Sequence, residues 1–281
     1  MKHFLIVTNT GKDVELKVTN NITEYLMQKG MECTVITDMQ EGVIQSEQSL
    51  PKNIDIVIVL GGDGTMLRTT YALGERDVLV VGINLGTLGF LTEVEPQNLY
   101  EALDRLITGD FEVEERMLIS GSVYRDGKEV IQSGALNDIV VSRAGYPRII
   151  CLQIKVNNRL LDVYEADGVI IATPTGSTGY NLSAGGPIVS PKADLIIVTP
   201  ISPHSLSTKS IAFSADDTIE IEVVKKRETQ KGEAIVTFDG RSGLHVVEGD
   251  VIRVQKSTQT LKLIKLSDTN FYEVLRSKIG Y

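Results

Sequence analysis

Two runs of the sequence, IDIVIVL at 54–60 and VLVVGIN at 78–84, are apolar almost without interruption, and each leads into a glycine-rich turn, GGDG and LGTLG. A strand with one face in water alternates apolar and polar residues, so continuous runs of this length need cover on both faces. Amphipathic stretches supply that cover: Val14 to Lys29, the segment after Thr65, and Pro96 to Leu106, where Leu99, Leu103 and Leu106 share a face. With HFLIVTN at 3–9 and ECTVITD at 32–38, the alternation predicts a doubly wound α/β domain with a mostly parallel sheet.

From about residue 113 the runs become short, alternating and turn-punctuated. Asp126-Gly127 and Asn157-Asn158 are hairpin signals, and TIEIEVV, AIVTFDG, VIRVQKS and TLKLIKL continue the pattern to about residue 266. The expectation is a β-rich, sandwich-like second domain over 113–266. The closing NFYEVLRSKIGY reads as a short helix that needs a dock, so 267–281 is expected to return to the first domain, 1–112.

A net charge of -9 argues against general affinity for nucleic acid or anionic membrane, which takes basic patches that displace counterions. The compact basic run Lys225, Lys226, Arg227 is followed by Glu228 and Glu233 and reads as a solvated hairpin loop. Cys33 and Cys151 lie far apart and outside any zinc-ligand spacing, as expected of free thiols in a reducing compartment. The apolar stretch in MKHFLIVTNTGKD is too short for a signal peptide, and VLVVGINLGTLGFL is too short and glycine-broken to span a bilayer. A cytoplasmic protein is expected. His3, His204 and His245 show neither metal spacing nor a partner nucleophile, and the chain has no GxSxG elbow and no Walker A sequence.

The GGDG turn poses the chemical question. Gly61, Gly62 and Gly64 let a ligand approach free backbone N–H groups at a helix N-terminus, which suits phosphate. Asp63 does not: a carboxylate about 4 Å from a phosphate charge costs about 4 kcal/mol per charge pair at an effective dielectric of 20. Three roles would account for it. Asp63 holds Mg²⁺ indirectly, accepts a proton from a hydroxyl attacking a phosphoryl group, or simply N-caps the helix. The turn after VLVVGIN should open on the same sheet edge, where ligands of such folds bind. Asn137 and Asp138 interrupt an apolar strand, as a ribose or base contact or an Asx turn. In EADGVIIATPTGSTGYNLSAGGPIV at 165–189, Thr173, Thr175, Ser177, Thr178 and Ser183 offer hydroxyls and Tyr180 a stacking face, a set suited to a nucleotide ribose.

Taken together, GGDGTML, NLGTLGFLTE, LNDIVV, DGVIIATPTGSTGYNLSAGGPIV and TPISPHSLS resemble the NAD kinase family, in family order from about residue 55 to 210. GGDG alone is shared with lipid kinases and phosphofructokinases, so a lipid or sugar kinase and a non-catalytic dinucleotide-binding regulator stand as alternatives. The resemblance implies phosphorylation of the 2′-hydroxyl of the adenosine ribose of NAD, with ATP or inorganic polyphosphate as donor. By it Asp63 is the proton acceptor, Gly61, Gly62 and Gly64 face the donor phosphates, and Asn137 and Asp138 hold ribose and adenine. Asp167 with Thr178, Gly179, Tyr180, Asn181, Leu182 and Ser183 completes a site between the domains; Arg68 and Arg148 stand where the family places contacts to phosphate, and Arg241, in FDGR, stands near a family contact position. Glu165 departs from the basic residue expected two places before the DG pair. A divalent metal, magnesium, and assembly as homodimers or homotetramers are implied as well.

Overall fold

The structure, a computed structural model, describes residues 2–37, 50–86, 89–145, 149–205, 207–225, 232–241, 243–267 and 269–280. The chain divides into two units, Met1–Glu115 with Leu261–Tyr281, and Arg116–Thr260.

In the first unit β1 (His3–Thr8), α1 (Lys17–Gln28), β2 (Glu32–Thr37), β3 (Ile56–Gly61), α2 (Asp63–Leu73), β4 (Leu79–Asn84) and α3 (Leu99–Thr108) follow one another. The strands pair in parallel in the order β2-β1-β3-β4. Every residue of β3 is buried, as are five of the six in β1 and β4, which is the two-sided cover that the apolar runs demanded. Ile22 and Leu26 of α1 and Leu99, Leu103 and Leu106 of α3 join Phe4, Ile6, Ile58 and Ile83 in one core. Helix α1 starts later than its amphipathic pattern suggested. Residues Val14–Leu16 form a 3-10 turn in which Glu15 and Leu16 have positive φ, because the buried Asp13 turns its carboxylate onto the N–H groups of Val18 and Thr19.

The second unit runs through β5 (Glu112–Arg125, its first four residues in the first unit), β6 (Lys128–Ala135), β7 (Asp138–Arg143), β8 (Ile150–Val156), β9 (Arg159–Ala166), β10 (Gly168–Ala172), the one-turn α4 (Tyr180–Ser183), β11 (Leu195–Ile201), β12 (Ile211–Ser214), β13 (Ile219–Val224), β14 (Glu233–Phe238), β15 (Leu244–Val247) and β16 (Val251–Lys265). Both expected hairpins form with positive φ at both turn residues, 50° and 74° at Asp126-Gly127 and 50° and 64° at Asn157-Asn158, the conformation that matches strand twist. One antiparallel layer has the order β16-β13-β8-β9 and the other β12-β11-β10-β7-β14-β15. Their alternating apolar residues, Ile154, Ile219, Ile221 and Ile252 from the first and Val141, Val169, Ile171 and Val236 from the second, share one core. This is a sandwich.

The chain returns to the first unit within β16, whose Lys262 and Leu263 pair in parallel with Leu79 and Val80 of β4. Helix α5 (Phe271–Ile279) follows, started by an Asn270–Glu273 capping box. No described helix is long and apolar enough to cross a membrane. Arg148 and most of the basic loop after Lys225 lie outside the described residues.

Candidate active site

At the carboxyl edge of β3, Gly62 and not Asp63 is the N-cap of α2, and Asp63 is the first residue of the helix. Its carboxylate serves another segment. Oδ2 accepts the Phe90 N–H at 3.0 Å and Oδ1 the Leu91 N–H at 3.1 Å. The simple helix-capping role is therefore set aside: Asp63 joins the GGDG turn to the glycine-rich turn that follows β4. Gly89 makes this possible, since a Cβ there would stand 1.9 Å from Asp63 Oδ1.

The second turn is itself braced. Leu85 N–H donates to Gly61 O at 3.1 Å, and Asn84, buried at the end of β4, donates its amide to Gly86 O at 2.7 Å. The Asn84 Oδ1 is buried with no partner among the described residues. A buried acceptor left open beside a phosphate-type turn is a place for a further donor. Arg68, one turn into α2, reaches back over the helix start, with Nη1 3.8 Å from where a Gly64 Cβ would lie. The C-terminal segment holds the far side of the turn. Phe271 packs on Phe90 at 5.9 Å between ring centroids, Lys278 lies 5.3 Å over the Phe90 ring, and Glu93 accepts the N–H groups of Leu266 and Ser267 and pairs with Lys265.

The other group of sequence-derived residues gathers in the second unit around the start of β7. Asp239, which no spacing in the sequence singles out, is the organiser. Its Oδ2 accepts the Leu136 N–H at 2.8 Å, and its Oδ1 accepts those of Asn137 and Asp138 at 2.7 and 3.1 Å. The Asp239 N–H donates in return to Asp138 O at 2.9 Å. The available signal was an Asp-Gly pair after a strand, which reads as a turn, and Asp239 does turn the chain with φ 49°. Arg241, two residues on, donates to Phe238 O and Gly134 O, so its guanidinium ties β14 to β6. Burial first, and then the Asp239 carboxylate, push Asp138 up to about 7. Burial raises Asp239 too, against the pull of its three N–H bonds and Arg241.

The hydroxyl-rich loop after β10 packs on this pair. A Gly176 Cβ would lie 2.0 Å from Asn137 O, and a Gly179 Cβ 3.4 Å from Asn137 Nδ2 and 3.9 Å from Asp138 Oδ2. The expectation that all its hydroxyls face a ligand needs correction. Thr173 and Ser177 are fully buried. The Thr173 hydroxyl donates to Leu136 O and accepts the Gly176 N–H, and the Ser177 hydroxyl bridges the backbone of Val189. Asn181 is also fully buried, donating to Ser177 O and Pro187 O and accepting from Thr199. Irregular buried backbone must find partners, and these side chains are the partners. The open part of the loop consists of Thr178, Gly179, Tyr180, Leu182 and Ser183, all at least partly exposed. Asp167 is half-buried and paired with Arg143 at 2.8 Å.

The chain matches the ATP-NAD kinase N-terminal domain over residues 4–111 and the ATP-NAD kinase C-terminal domain over 136–266. It is 42% identical to an NAD kinase of Lachnoclostridium phytofermentans over 283 residues, covering 100% of this chain and 99% of that protein. An NAD kinase of Lachnospira eligens is also 42% identical, over 99% of this chain and 100% of the relative. Among solved structures, a yeast NADH kinase complexed with NADH shares the fold with a TM-score of 0.85 at 23% identity, covering 100% of this chain and 88% of that one. An NAD kinase from Archaeoglobus fulgidus in complex with ATP gives 0.76 at 27% identity, over 99% and 97% of the two chains. With its GGDG turn and its Asn137-Asp138 pair set in the two matched domains, the chain belongs to the NAD kinase family.

Proposed function

We propose that the protein transfers the γ-phosphoryl group of ATP, or a terminal phosphoryl of polyphosphate, to the 2′-hydroxyl of the adenosine ribose of NAD, and that Asp63 accepts the hydroxyl proton. The observation that carries this reading is the way Asp63 is held. Two backbone N–H groups fix its carboxylate at the mouth of an anion-binding turn although it caps no helix. A pure binding site gains nothing from a carboxylate beside phosphates, whereas a kinase needs a proton acceptor there. A carboxylate is too weak a base to ionise an alcohol beforehand, so the proton moves as the phosphoryl group transfers, a contribution of about 10² to 10⁴ in rate.

Asn137, Asp138 and the open residues Thr178, Gly179, Tyr180, Leu182 and Ser183 are assigned to NAD, with Asp239 setting the Asn137-Asp138 backbone. Asp167 joins them, oriented by Arg143. Asn181 shapes the loop from within, and Arg68 is assigned to donor phosphate. Among the described residues no group of three or more His, Cys, Asp or Glu is placed to hold a metal. A magnesium ion brought in with the donor would have Asp63 and the open Asn84 Oδ1 as its oxygen contacts in this unit. Such an ion would neutralise charge on the transferring group. Homodimer or homotetramer assembly and a cytoplasmic setting belong to the same reading, the latter supported by the free thiols of Cys33 and Cys151.

Purified protein with NAD, ATP and Mg²⁺, coupled to a strictly NADP-dependent dehydrogenase, is the test. Wild type should form NADP, and Asp63→Asn should lose at least about 10² of kcat while still binding NAD. Undiminished turnover in Asp63→Asn would sink the proton-acceptor role.

A further inference from the structure

The GGDG sequence contains no lysine, although a loop that seats phosphates usually has one. The fold brings one from elsewhere. Lys12, in the loop TNTGKD between β1 and α1, places its Nζ 2.8 Å from the position of a Gly62 Cβ and 3.6 Å from that of a Gly86 Cβ. The amine thus overlies both glycine turns at once. Among the described residues Lys12 makes no ion pair and no hydrogen bond through its side chain, and Asp63 is committed to Phe90 and Leu91.

The position is built into the loop. Asn9 N–H donates to Leu60 O at 3.0 Å, and the N–H groups of Lys12 and Asp13 both close on Asn9 O at 3.0 Å. The Asn9 amide donates to Thr65 Oγ1 at 3.3 Å, which ties this loop to the first turn of α2. A cation so delivered offsets the repulsion between Asp63 and an incoming anion, the difficulty that the turn's sequence raises.

We propose that Lys12 is the cation that meets the donor's terminal phosphates over the GGDG turn. The assignment rests on the kinase reading above. In the transfer the 2′-oxygen bonds to the γ-phosphorus while the bond from that phosphorus to the β,γ-bridging oxygen breaks. The hydroxyl proton goes to Asp63 and the bonding electron pair to the departing ADP. Lys12 holds non-bridging oxygens of the phosphate chain through this exchange, so it recognises the chain itself and not the adenosine.

The test uses full-length wild type, Lys12→Ala and Lys12→Arg, with ATP and with polyphosphate as donors in the coupled assay, and calorimetric binding of Mg²⁺-ATP and of NAD. Lys12→Ala should lower kcat/KM for either donor by about 10- to 10²-fold, the worth of one hydrogen bond to a charged group. It should weaken Mg²⁺-ATP binding and leave NAD binding and the melting temperature in place. Lys12→Arg should restore most of the loss. Donor kcat/KM within twofold of wild type in Lys12→Ala, or a loss confined to NAD binding, overturns the assignment. A wild type that forms no NADP with either donor condemns the kinase reading instead, and the effect of Lys12→Ala on Mg²⁺-ATP binding then still decides the role of Lys12.

Discussion

Replacing Gly89 by alanine sets a methyl carbon 1.9 Å from Asp63 Oδ1, 2.6 Å from its Cγ and 2.9 Å from Oδ2. Something must move. The Gly89 backbone is tied to Thr92 Oγ1 at 3.0 Å and buried, whereas the carboxylate is the free end of a side chain, so the carboxylate yields. Two hydrogen bonds to a charged acceptor are lost, each worth about 1.5–3 kcal/mol when made in a dry setting. Asp63 is only partly buried, so water takes back some of that, and a net loss of about 2 kcal/mol is expected. That corresponds to roughly 4–8 °C in melting temperature, and the protein stays folded. Turnover suffers far more, because displacing a reacting group by about 1 Å costs on the order of 10² in rate. The coupled NADP assay should show kcat down by at least that factor, with NAD affinity within about threefold. A double-mutant cycle isolates the cause: in an Asp63→Ala background Gly89→Ala should cost nothing further. Wild-type turnover in Gly89→Ala, or an undiminished second loss in the Asp63→Ala background, would refute the link between the two turns.

Phe271→Ala removes the ring that backs Phe90, an aromatic contact worth about 0.5–1.5 kcal/mol beyond burial. It should lower kcat severalfold while leaving NAD binding in place, since only the loop that positions Asp63 is loosened; an effect on NAD binding alone would contradict this. Asp138→Asn should weaken NAD binding yet raise the melting temperature of the ligand-free protein at pH 8. The sign follows from a folded pKa of about 7 against an unfolded value near 3.9: between these the folded state holds the extra proton, so the carboxylate's destabilising effect grows as pH rises to about 7. The advantage of Asn should therefore shrink on going from pH 8 to pH 5, and a gain that is equal at both, read by thermal melts, would remove Asp138 as the titrating group. Asp239→Asn should raise KM for NAD with a smaller change in kcat, because its carboxylate sets the Asn137-Asp138 backbone without touching the transferring phosphoryl group; a loss in kcat alone would place its effect elsewhere.

The parallel sheet and the sandwich were legible because burial leaves a periodic trace: unbroken apolar runs for β3 and β4, alternation for β13 and β14. Hairpin turns were legible because positive φ restricts them to Asn, Asp and Gly. Side chains that close a loop on itself leave no such trace. Thr173, Ser177 and Asn181 have the composition of a ligand-facing loop, and their partners at Leu136, Val189 and Thr199 are not specified by the local sequence. Asp239 likewise orders a dipeptide about a hundred residues away, and no spacing rule connects them.

Asp63 shows where the dividing line falls. Its sequence setting identified a charge that a phosphate turn should not tolerate, and local chemistry alone left capping, metal contact and proton transfer open. Capping was ruled out by Phe90 and Leu91, which reach it only because β4 lies beside β3 in register, with Gly61 opposite Asn84. Lys12 arrives by the same kind of neighbourhood, since β1 is the strand on the other side of β3. The central strand of a doubly wound sheet thus ends between two loops that follow its neighbours. One loop fixes the carboxylate and the other supplies a cation, so the apparent conflict of charge in GGDG is local to the sequence and absent from the fold.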